Sequence, residues 1–388
     1  MYKIKLFNKI ASIGTDHFDK SLYIVKEDIE NPDAIMVRSA SMHEAELPDG
    51  LKAIARAGAG VNNIPIEKCS EKGVVVFNTP GANANAVKEL AVAALLLSSR
   101  KIVSGISWAQ TLKEGSTDVA KDVEKGKGAY VGPELSGKKL GIIGLGAIGV
   151  QLANISVHLG MQVYGYDPYI TVDAAWMLSK TVAHAASLGE IYKDCDYISI
   201  HVPSTPETKG MINSETISQM KDGVRILNLA RADLVDATSI KAAVTSGKVA
   251  TYVTDFPTED ILGIENIIPI PHLGASTPES EDNCAEMAAL ELIDFLQYGN
   301  IKNSVNFPEV FLPFSGGVRI CVFHKNIPSM LTQISSVLSN EKINIENMVN
   351  RSKKDNAYTL IETTSEISNE VSAKLTAIDG VIKVRTIK

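Results

Sequence analysis

Basic residues never gather into a block in this sequence. Acidic residues outnumber them, 45 Asp and Glu against 38 Lys and Arg, for a formal net charge of -7. No electrostatic footprint for nucleic acid is left. Long apolar runs are also missing. The longest, Leu90 to Leu97, falls far short of the roughly 20 residues that span a bilayer, so no membrane association is expected. The opening Met1-Tyr2-Lys3-Ile4-Lys5-Leu6-Phe7 is too polar and too short for the apolar part of a secretory signal. Cysteine is scarce. Cys69, Cys195, Cys284 and Cys321 stand far apart without a CxxC pair. That spacing argues against a zinc site or a disulfide frame, and for reduced thiols in a cytoplasmic protein that holds no metal.

What is present is an ordinary apolar fraction, 45%, over 388 residues, enough for two or three domains. The most informative stretch is Leu140-Gly141-Ile142-Ile143-Gly144-Leu145-Gly146-Ala147-Ile148-Gly149. A short apolar run feeds a GxGxxG turn. A helix-compatible segment, Val150 to Leu159, follows, and then a second strand-like run that ends on Asp167. A bare GxGxxG is common. With a strand before it and an acid at the tip of the next strand, it reads as a dinucleotide-binding βαβ unit. Gly144 permits the tight turn, Gly146 lets a pyrophosphate approach the backbone, and Gly149 lets helix and strand pack closely. The helix N-terminus offers free N–H groups to phosphate. Asp167 can accept from both ribose hydroxyls, and its charge would repel a 2′-phosphate, which favours NAD over NADP.

Before this unit, strand-like runs at Lys3–Phe7, Ala34–Arg38, Ala53–Arg56 and Val74–Asn78 alternate with amphipathic stretches, as in a parallel α/β sheet. Arg38 and Arg56 end two of them, where ligands of open sheets sit. Two guanidinium forks there suit an anion, although either one alone would equally suit a solvated ion pair. A long helix is expected from Ala84 to Ser104, and a loop-rich excursion with one or two helical turns over Gly105 to Leu135.

After Asp167 a helix is expected over Ala174 to Ser187. The strands that follow end in Tyr197–Pro203 (with His201-Val202-Pro203), Arg225–Leu229 (before Ala230-Arg231), Val249–Thr254 (before Asp255 to Asp260) and Ile267–Ile270 (before Pro271-His272). A cation, an acid and a histidine thus follow three successive strands. Arg231 would clamp a carboxylate, His272 would exchange a proton with a hydroxyl or carbonyl, and Glu259 would hydrogen-bond the imidazole and orient it. Each has a plainer reading alone, as a cap, a structural histidine or a solvated loop acid. Together, downstream of a dinucleotide turn, they read as a hydride-transfer site. Glu279 to Gln297 reads as a returning helix and 308–317 as a linker. The tail, 318–388, reads βαββαβ, a ferredoxin-like order. Its His324, Asn326 and Asn344 fall at strand ends and loops, where they suit either a small polar ligand or local capping.

Val37-Arg38-Ser39, Arg56-Ala57-Gly58-Ala59-Gly60-Val61-Asn62, Asn78-Thr79-Pro80-Gly81, the glycine turn, Tyr166-Asp167-Pro168, His201-Val202-Pro203, Asn228-Leu229-Ala230-Arg231 and Pro271-His272-Leu273-Gly274-Ala275-Ser276-Thr277 together resemble the NAD-dependent D-2-hydroxyacid dehydrogenases. The tail resembles the ACT regulatory module. The resemblance implies an α/β fold: a Rossmann cofactor domain, 81–280, inserted in a flavodoxin-like substrate domain, 1–80 and 281–307, plus a ferredoxin-like ACT domain over 318–388. It implies Arg231, Glu259 and His272 as catalytic. It implies cofactor contacts from Gly144, Gly146, Ala147, Ile148, Gly149, Asp167, His201, Val202, Pro203, Thr208, Ala230, Asp255, His272 and Gly274. Around the substrate it puts Arg38, Ser39, Arg56, Gly58, Ala59, Gly60, Asn62, Arg231 and His272. The expected substrate is 3-phospho-D-glycerate, with glyoxylate, hydroxypyruvate or D-lactate as alternatives and a non-enzymatic NAD-sensing corepressor as the remote one. An L-serine effector at His324, Asn326 and Asn344 and a homodimer or homotetramer are also implied. The chain departs from the family pattern at Ala232 and Ser329, where glycine is usual, and in a shortened Asp255–Asp260 loop.

Overall fold

The computed structural model describes all residues from Met1 to Lys388. They form two compact units, Met1–Asn83 with Pro278–Lys388, and Ala84–Thr277.

The first unit opens with five short strands, β1 (Tyr2–Leu6), β2 (Tyr23–Lys26), β3 (Ala34–Val37), β4 (Ala53–Arg56) and β5 (Val75–Phe77), and helices α1 (Ser12–Thr15) and α2 (Ile66–Glu71). The strands pair in parallel in the order β2-β1-β3-β4-β5, a flavodoxin-like arrangement. Strands β3 to β5 are buried nearly throughout, as expected for a sheet covered on both faces. The sequence reading passed over β2, a four-residue edge strand of mixed polarity.

The second unit begins with α3 (Ala84–Ser99), α4 (Ile102–Gly115) and α5 (Val119–Gly126). The long helix therefore stops at Ser99, and the expected loop-rich excursion holds two helices instead. Asp118 caps α5 by accepting from Lys121 N, and Trp108 stacks on Tyr130 at 5.2 Å, local support that periodicity does not reveal. The sheet follows as β6 (Lys139–Ile143), α6 (Ala147–His158), β7 (Gln162–Tyr166), α7 (Val172–Met177), β8 (Ala183–His184), α8 (Leu188–Asp194), β9 (Tyr197–Ile200), α9 (Ser214–Ser218), β10 (Val224–Asn228), α10 (Ala237–Thr245), β11 (Val249–Thr254) and β12 (Ile267–Pro269). The helix expected over 174–187 is thus shorter and gives way to β8. The strand order is β12-β11-β10-β9-β6-β7-β8, all parallel. This is the doubly wound Rossmann arrangement, and its order reverses between β6 and β9. Val87, Ala91, Ala94 and Leu95 of α3 share a core with Leu152 and Ala153 of α6 and with Leu140, Ile142, Leu227 and Val253 of the sheet. No single helix in the chain is long and apolar enough to cross a membrane.

The chain returns to the first unit through α11 (Pro278–Tyr298) and then builds β13 (Val318–Lys325), α12 (Met330–Asn340), β14 (Asn347–Lys353), β15 (Asn356–Thr363), α13 (Asn369–Thr376) and β16 (Val381–Ile387). These strands form an antiparallel sheet ordered β14-β15-β13-β16, the ferredoxin-like topology. Strand β14 is preceded by Ile343 to Glu346, which form the approach to it.

The segment 308–317 is no free linker: Val310 and Leu312 are buried, and Ile301 bridges Val310. The tail also shares a core with the first sheet. Phe323 of β13 packs against Phe295 of α11, Phe307 and Tyr358, and the same cluster includes Ile4, Phe77, Leu360 and Ile387. Carbonyls in the last turn of α11 and just beyond it accept hydrogen bonds from the tail. Arg385 Nη1 donates to Phe295 O at 3.0 Å, Arg319 Nη1 to Tyr298 O at 2.6 Å and Tyr358 OH to Gly299 O at 2.6 Å.

Candidate active site

In the second unit, the glycine turn sits where the sheet order reverses. Gly144 has φ of 96°, and a Cβ there would lie 2.5 Å from His201 O. A Cβ on Gly149 would lie 2.0 Å from Gly144 O. Both positions therefore demand glycine for the protein's own packing. Gly146 differs: a Cβ there meets nothing within 4 Å. The protein leaves that space open, and the amides of Ala147, Ile148 and Gly149 precede the first α6 bond, Val150 N to Gly146 O at 3.1 Å. Open backbone at a helix N-terminus fits a pyrophosphate. Asp167 steadies the turn by accepting from Leu145 N and Tyr169 N, each at 2.8 Å. Each carboxylate oxygen keeps a further lone pair for a ribose hydroxyl.

Across the reversal, His201 directly follows β9, and its N donates to Ile143 O at 2.8 Å. Its Nε2 pairs with Ser199 Oγ at 2.8 Å, while the buried Nδ1 has no partner. Burial pushes this imidazole down to about 4, so it is neutral near pH 7. Thr208 closes the loop after Val202 and Pro203 by donating to Pro203 O at 2.7 Å and accepting from Thr205 N at 2.8 Å. The residues present thus fit a dinucleotide.

Three neighbouring strand ends carry the candidate catalytic residues. Buried Asn228, at the end of β10, shapes the turn that presents Arg231: its Nδ2 donates to Arg231 O at 2.8 Å and its Oδ1 accepts from Ala230 N at 3.2 Å. Arg231 Nη1 donates to Ala230 O at 2.6 Å. After β11 comes Asp255, buried, with its carboxylate accepting from Leu273 N at 2.7 Å and Gly274 N at 2.8 Å. Burial raises the Asp255 carboxyl above its ordinary value, against those amide bonds and the charge of His272. After β12, His272 adopts φ of 52°, a left-handed backbone unusual outside glycine, and its ring lies 4.6 Å from that of Phe256.

One expectation changes here. Glu259 lies exposed on a 3₁₀ turn, Glu259–Ile261, and no hydrogen bond or ion pair joins it to His272. The shortened loop puts Phe256 against the imidazole instead. Asp255, one of the expected cofactor contacts, accepts with both carboxylate oxygens from the amides that follow His272. Asn228 and Phe256 join the site only through the fold. A polar residue ending the apolar run Ile226-Leu227-Asn228 was the one available signal for the first.

In the first unit, Arg38 directly follows β3 and Arg56 ends the paired strand β4, with Val37 in register with Arg56. Arg56 Nε donates to Arg38 O at 3.1 Å. Gly58 leaves room for this side chain, since a Cβ there would lie 2.4 Å from Arg56 Nη1. Arg38 Nη2 pairs with Glu281 Oε1 of α11 at 2.6 Å, both side chains about two-fifths exposed (39% and 41%). Ser39 and Asn62 are exposed, and Gly60 is half-buried. Asn78 Nδ2 donates to Ala59 O at 2.5 Å. Buried Asn63, rather than Asn62, ties the loop by donating to Ala40 O at 2.8 Å.

The tail's three polar residues do not converge within one chain. His324 is buried on β13, with Nδ1 on Lys325 O at 2.8 Å and Nε2 on Thr359 Oγ1 at 2.9 Å, so both nitrogens are engaged. Asn326 donates to Lys354 O at 3.1 Å. Asn344 bonds Glu346 at 2.7 Å and lines an open depression of about 590 Å³ with Ser336, Ser339 and Lys342.

Residues 92–274 match the family described as D-isomer specific 2-hydroxyacid dehydrogenase, NAD binding domain. D-3-phosphoglycerate dehydrogenase of Haemophilus influenzae is 30% identical over 389 aligned residues, covering 96% of this chain and 91% of that protein. Hydroxypyruvate reductase of Thermotoga maritima is 37% identical over 281, covering 69% of this chain and 86% of that protein. Against D-3-phosphoglycerate dehydrogenase of Rattus norvegicus, the chain spans about half the relative's length, 53%. Among solved structures, NAD+-bound 3-phosphoglycerate dehydrogenase of Entamoeba histolytica superposes with a TM-score of 0.61 at 27% identity, covering 80% of this chain and 99% of that one. NAD is the cofactor that fits this turn and its acid, that the matched domain is described as binding and that the Entamoeba histolytica structure holds, and the chain belongs to the D-isomer specific 2-hydroxyacid dehydrogenase family.

Proposed function

We propose that the protein oxidises 3-phospho-D-glycerate to 3-phosphohydroxypyruvate, the entry step of L-serine biosynthesis. The observation that carries this reading is the pair Arg38 and Arg56 on adjacent strand ends, a doubly cationic site for a phosphate. When bound, NAD supplies the hydride acceptor. Arg231 holds the substrate carboxylate through its guanidinium fork. His272 takes the hydroxyl proton as the carbonyl forms. Glu259 becomes the imidazole's partner only if its exposed turn closes. Asp167 favours NAD over NADP by its charge. The phosphate falls to Arg38 and Arg56, with Ser39, Gly58, Ala59, Gly60 and Asn62 around it.

Steady-state assays with 3-phosphoglycerate, D-glycerate and D-lactate, each with NAD and NADP, test this directly. We expect 3-phosphoglycerate with NAD to give the highest kcat/KM. A clear preference for D-glycerate or D-lactate would remove the phosphate role from the two arginines. The same assay with His272→Ala separates an enzyme from an NAD-sensing corepressor, because undiminished NAD reduction would exclude catalysis by His272.

L-serine as effector of the tail, a homodimer or homotetramer, and a cytoplasmic setting complete the proposal. Asn326 and Asn344 are exposed and suit the effector role, whereas His324 must first give up its internal bonds. Ser329, at φ of 68° before α12, holds a backbone normally left to glycine. Activity against millimolar L-serine and mass in solution test these points. The four free, buried thiols fit a reducing compartment, and burial pushes those of Cys69 and Cys195 up to about 12.

A further inference from the structure

Arg231 and His272 stand on strand ends that are not neighbours: β10 and β12 flank β11. Little else fixes either side chain. The Arg231 guanidinium has one hydrogen bond, to the carbonyl of the residue before it. The His272 imidazole has no hydrogen bond or ion pair. The residue after β11's buried acid stands between the two. The Phe256 ring lies 4.6 Å from the His272 ring, tilted by 47°, and the Arg231 guanidinium lies over it at 5.6 Å from its centroid. Both distances fall within the ranges of favourable ring-pair and cation–π contacts.

Phe256 is itself held on both sides. Asp255 is fixed by the Leu273 and Gly274 amides. Phe256 N donates to Thr254 Oγ1 at 3.1 Å. Pro257 restricts the Phe256 backbone to extended conformations. The side chain has only two rotatable bonds, so little freedom is lost in holding it.

We propose that Phe256 is the positioning residue that sets the Arg231 guanidinium and the His272 imidazole at a fixed separation. It replaces the carboxylate–imidazole bond as the contact that orients the base before substrate arrives. The inference rests on the roles given above to Arg231 and His272. A carboxylate clamp and a proton acceptor on different strand ends must share one geometry toward a single carbon, and misplacement by about 1 Å can cost on the order of a hundredfold in rate.

The test compares Phe256→Leu, which keeps the bulk and removes the aromatic face, with Phe256→Tyr, which keeps the face. Expected for the leucine variant are a fall in kcat of about tenfold or more and a rise in substrate KM, with NAD affinity and Tm close to wild type. The tyrosine variant should recover to within about threefold. Equal kcat and KM in wild type and Phe256→Leu would overturn the proposal, as would equal losses in both variants. The His272 imidazole resonances, assigned with His272→Gln, give a readout independent of turnover. They should be sharp in wild type and Phe256→Tyr, and displaced and broadened in Phe256→Leu. Unchanged resonances in Phe256→Leu overturn the positioning role even if none of the tested hydroxyacids is a substrate, an outcome that would by itself sink only the proposed reaction.

Discussion

Asp255 holds the backbone N–H of Gly274 at 2.8 Å, joining the ends of two adjacent parallel strands. Its other oxygen takes Leu273 N at 2.7 Å. These two bonds to a carboxylate bracket the residue after the left-handed His272 and offset that strain, which costs of order 1–3 kcal/mol. A Cβ on Gly274 would lie 2.9 Å from Asp255 Oδ2, so a side chain there would push the carboxylate from its amides.

Asp255→Ala should therefore act on both stability and turnover. It strands two amides, which costs roughly 1–3 kcal/mol apiece where they are buried, and it releases the backbone of His272. We expect a lower urea midpoint and a kcat loss larger than that of Phe256→Leu. Turnover at the wild-type rate with only the stability loss would show that the turn holds without the acid.

Gly146→Ala and Gly149→Ala should separate cofactor binding from folding. A methyl at 146 meets no protein atom, and φ there is -76°, which alanine adopts freely. We expect an unchanged Tm and a weaker NAD Kd, by about tenfold or more if the pyrophosphate approaches that backbone. At 149 the methyl would run into Gly144 O, so the protein itself should be destabilised. Equal NAD affinity in Gly146→Ala and wild type would place the pyrophosphate elsewhere.

Glu281 competes with any anion for Arg38. The pair is exposed enough that its net stability contribution should be at most about 1 kcal/mol. Glu281→Gln should thus leave Tm near wild type while lowering KM for 3-phosphoglycerate severalfold and for D-glycerate less, and added salt should shrink the difference. An equal effect on both substrates would mean that Arg38 does not take the phosphate.

Glu291 gives a pH dependence of opposite sign to that of a salt-bridged acid. Burial pushes its carboxyl up to about 8, against the pull of the Asn303 amide, 2.7 Å away, and Lys302. Its Oε2 is buried without a partner. The folded protein then keeps a proton that the unfolded chain releases above its ordinary value near 4.5. Stability from this group is full below that value and falls as pH rises toward 8, where the loss levels off at up to about 5 kcal/mol. Glu291→Gln, a neutral mimic, should raise Tm more at pH 9 than at pH 5. An equal gain at both would show the carboxyl ionised in the fold.

Much of this was legible along the chain because it is written in local chemistry. Gly144, Gly146 and Gly149 sit between a strand and a helix, and Asp167 ends the next strand. Arg231 and His272 each follow an apolar run, so a parallel sheet brings them to one rim. The partner of His272 was not legible. A loop one residue shorter than the family pattern decides whether an acid or an aromatic ring meets the imidazole, and that depends on backbone direction rather than residue type. Likewise, 308–317 had a linker's prolines and glycines, yet Val310 and Leu312 are buried by packing from distant parts of the chain.

The sheet classes, the dinucleotide turn and the identity of the arginines and the histidine are local properties, because each follows from residues within a few positions of one another. Only the folded chain brings Asp255 to the His272 turn, Phe256 to both Arg231 and His272, Glu281 to Arg38, and the tail to the end of α11, whose core it shares. Those contacts join residues remote in the chain, where strand register, loop length and burial choose the partner and local pattern carries no information about it.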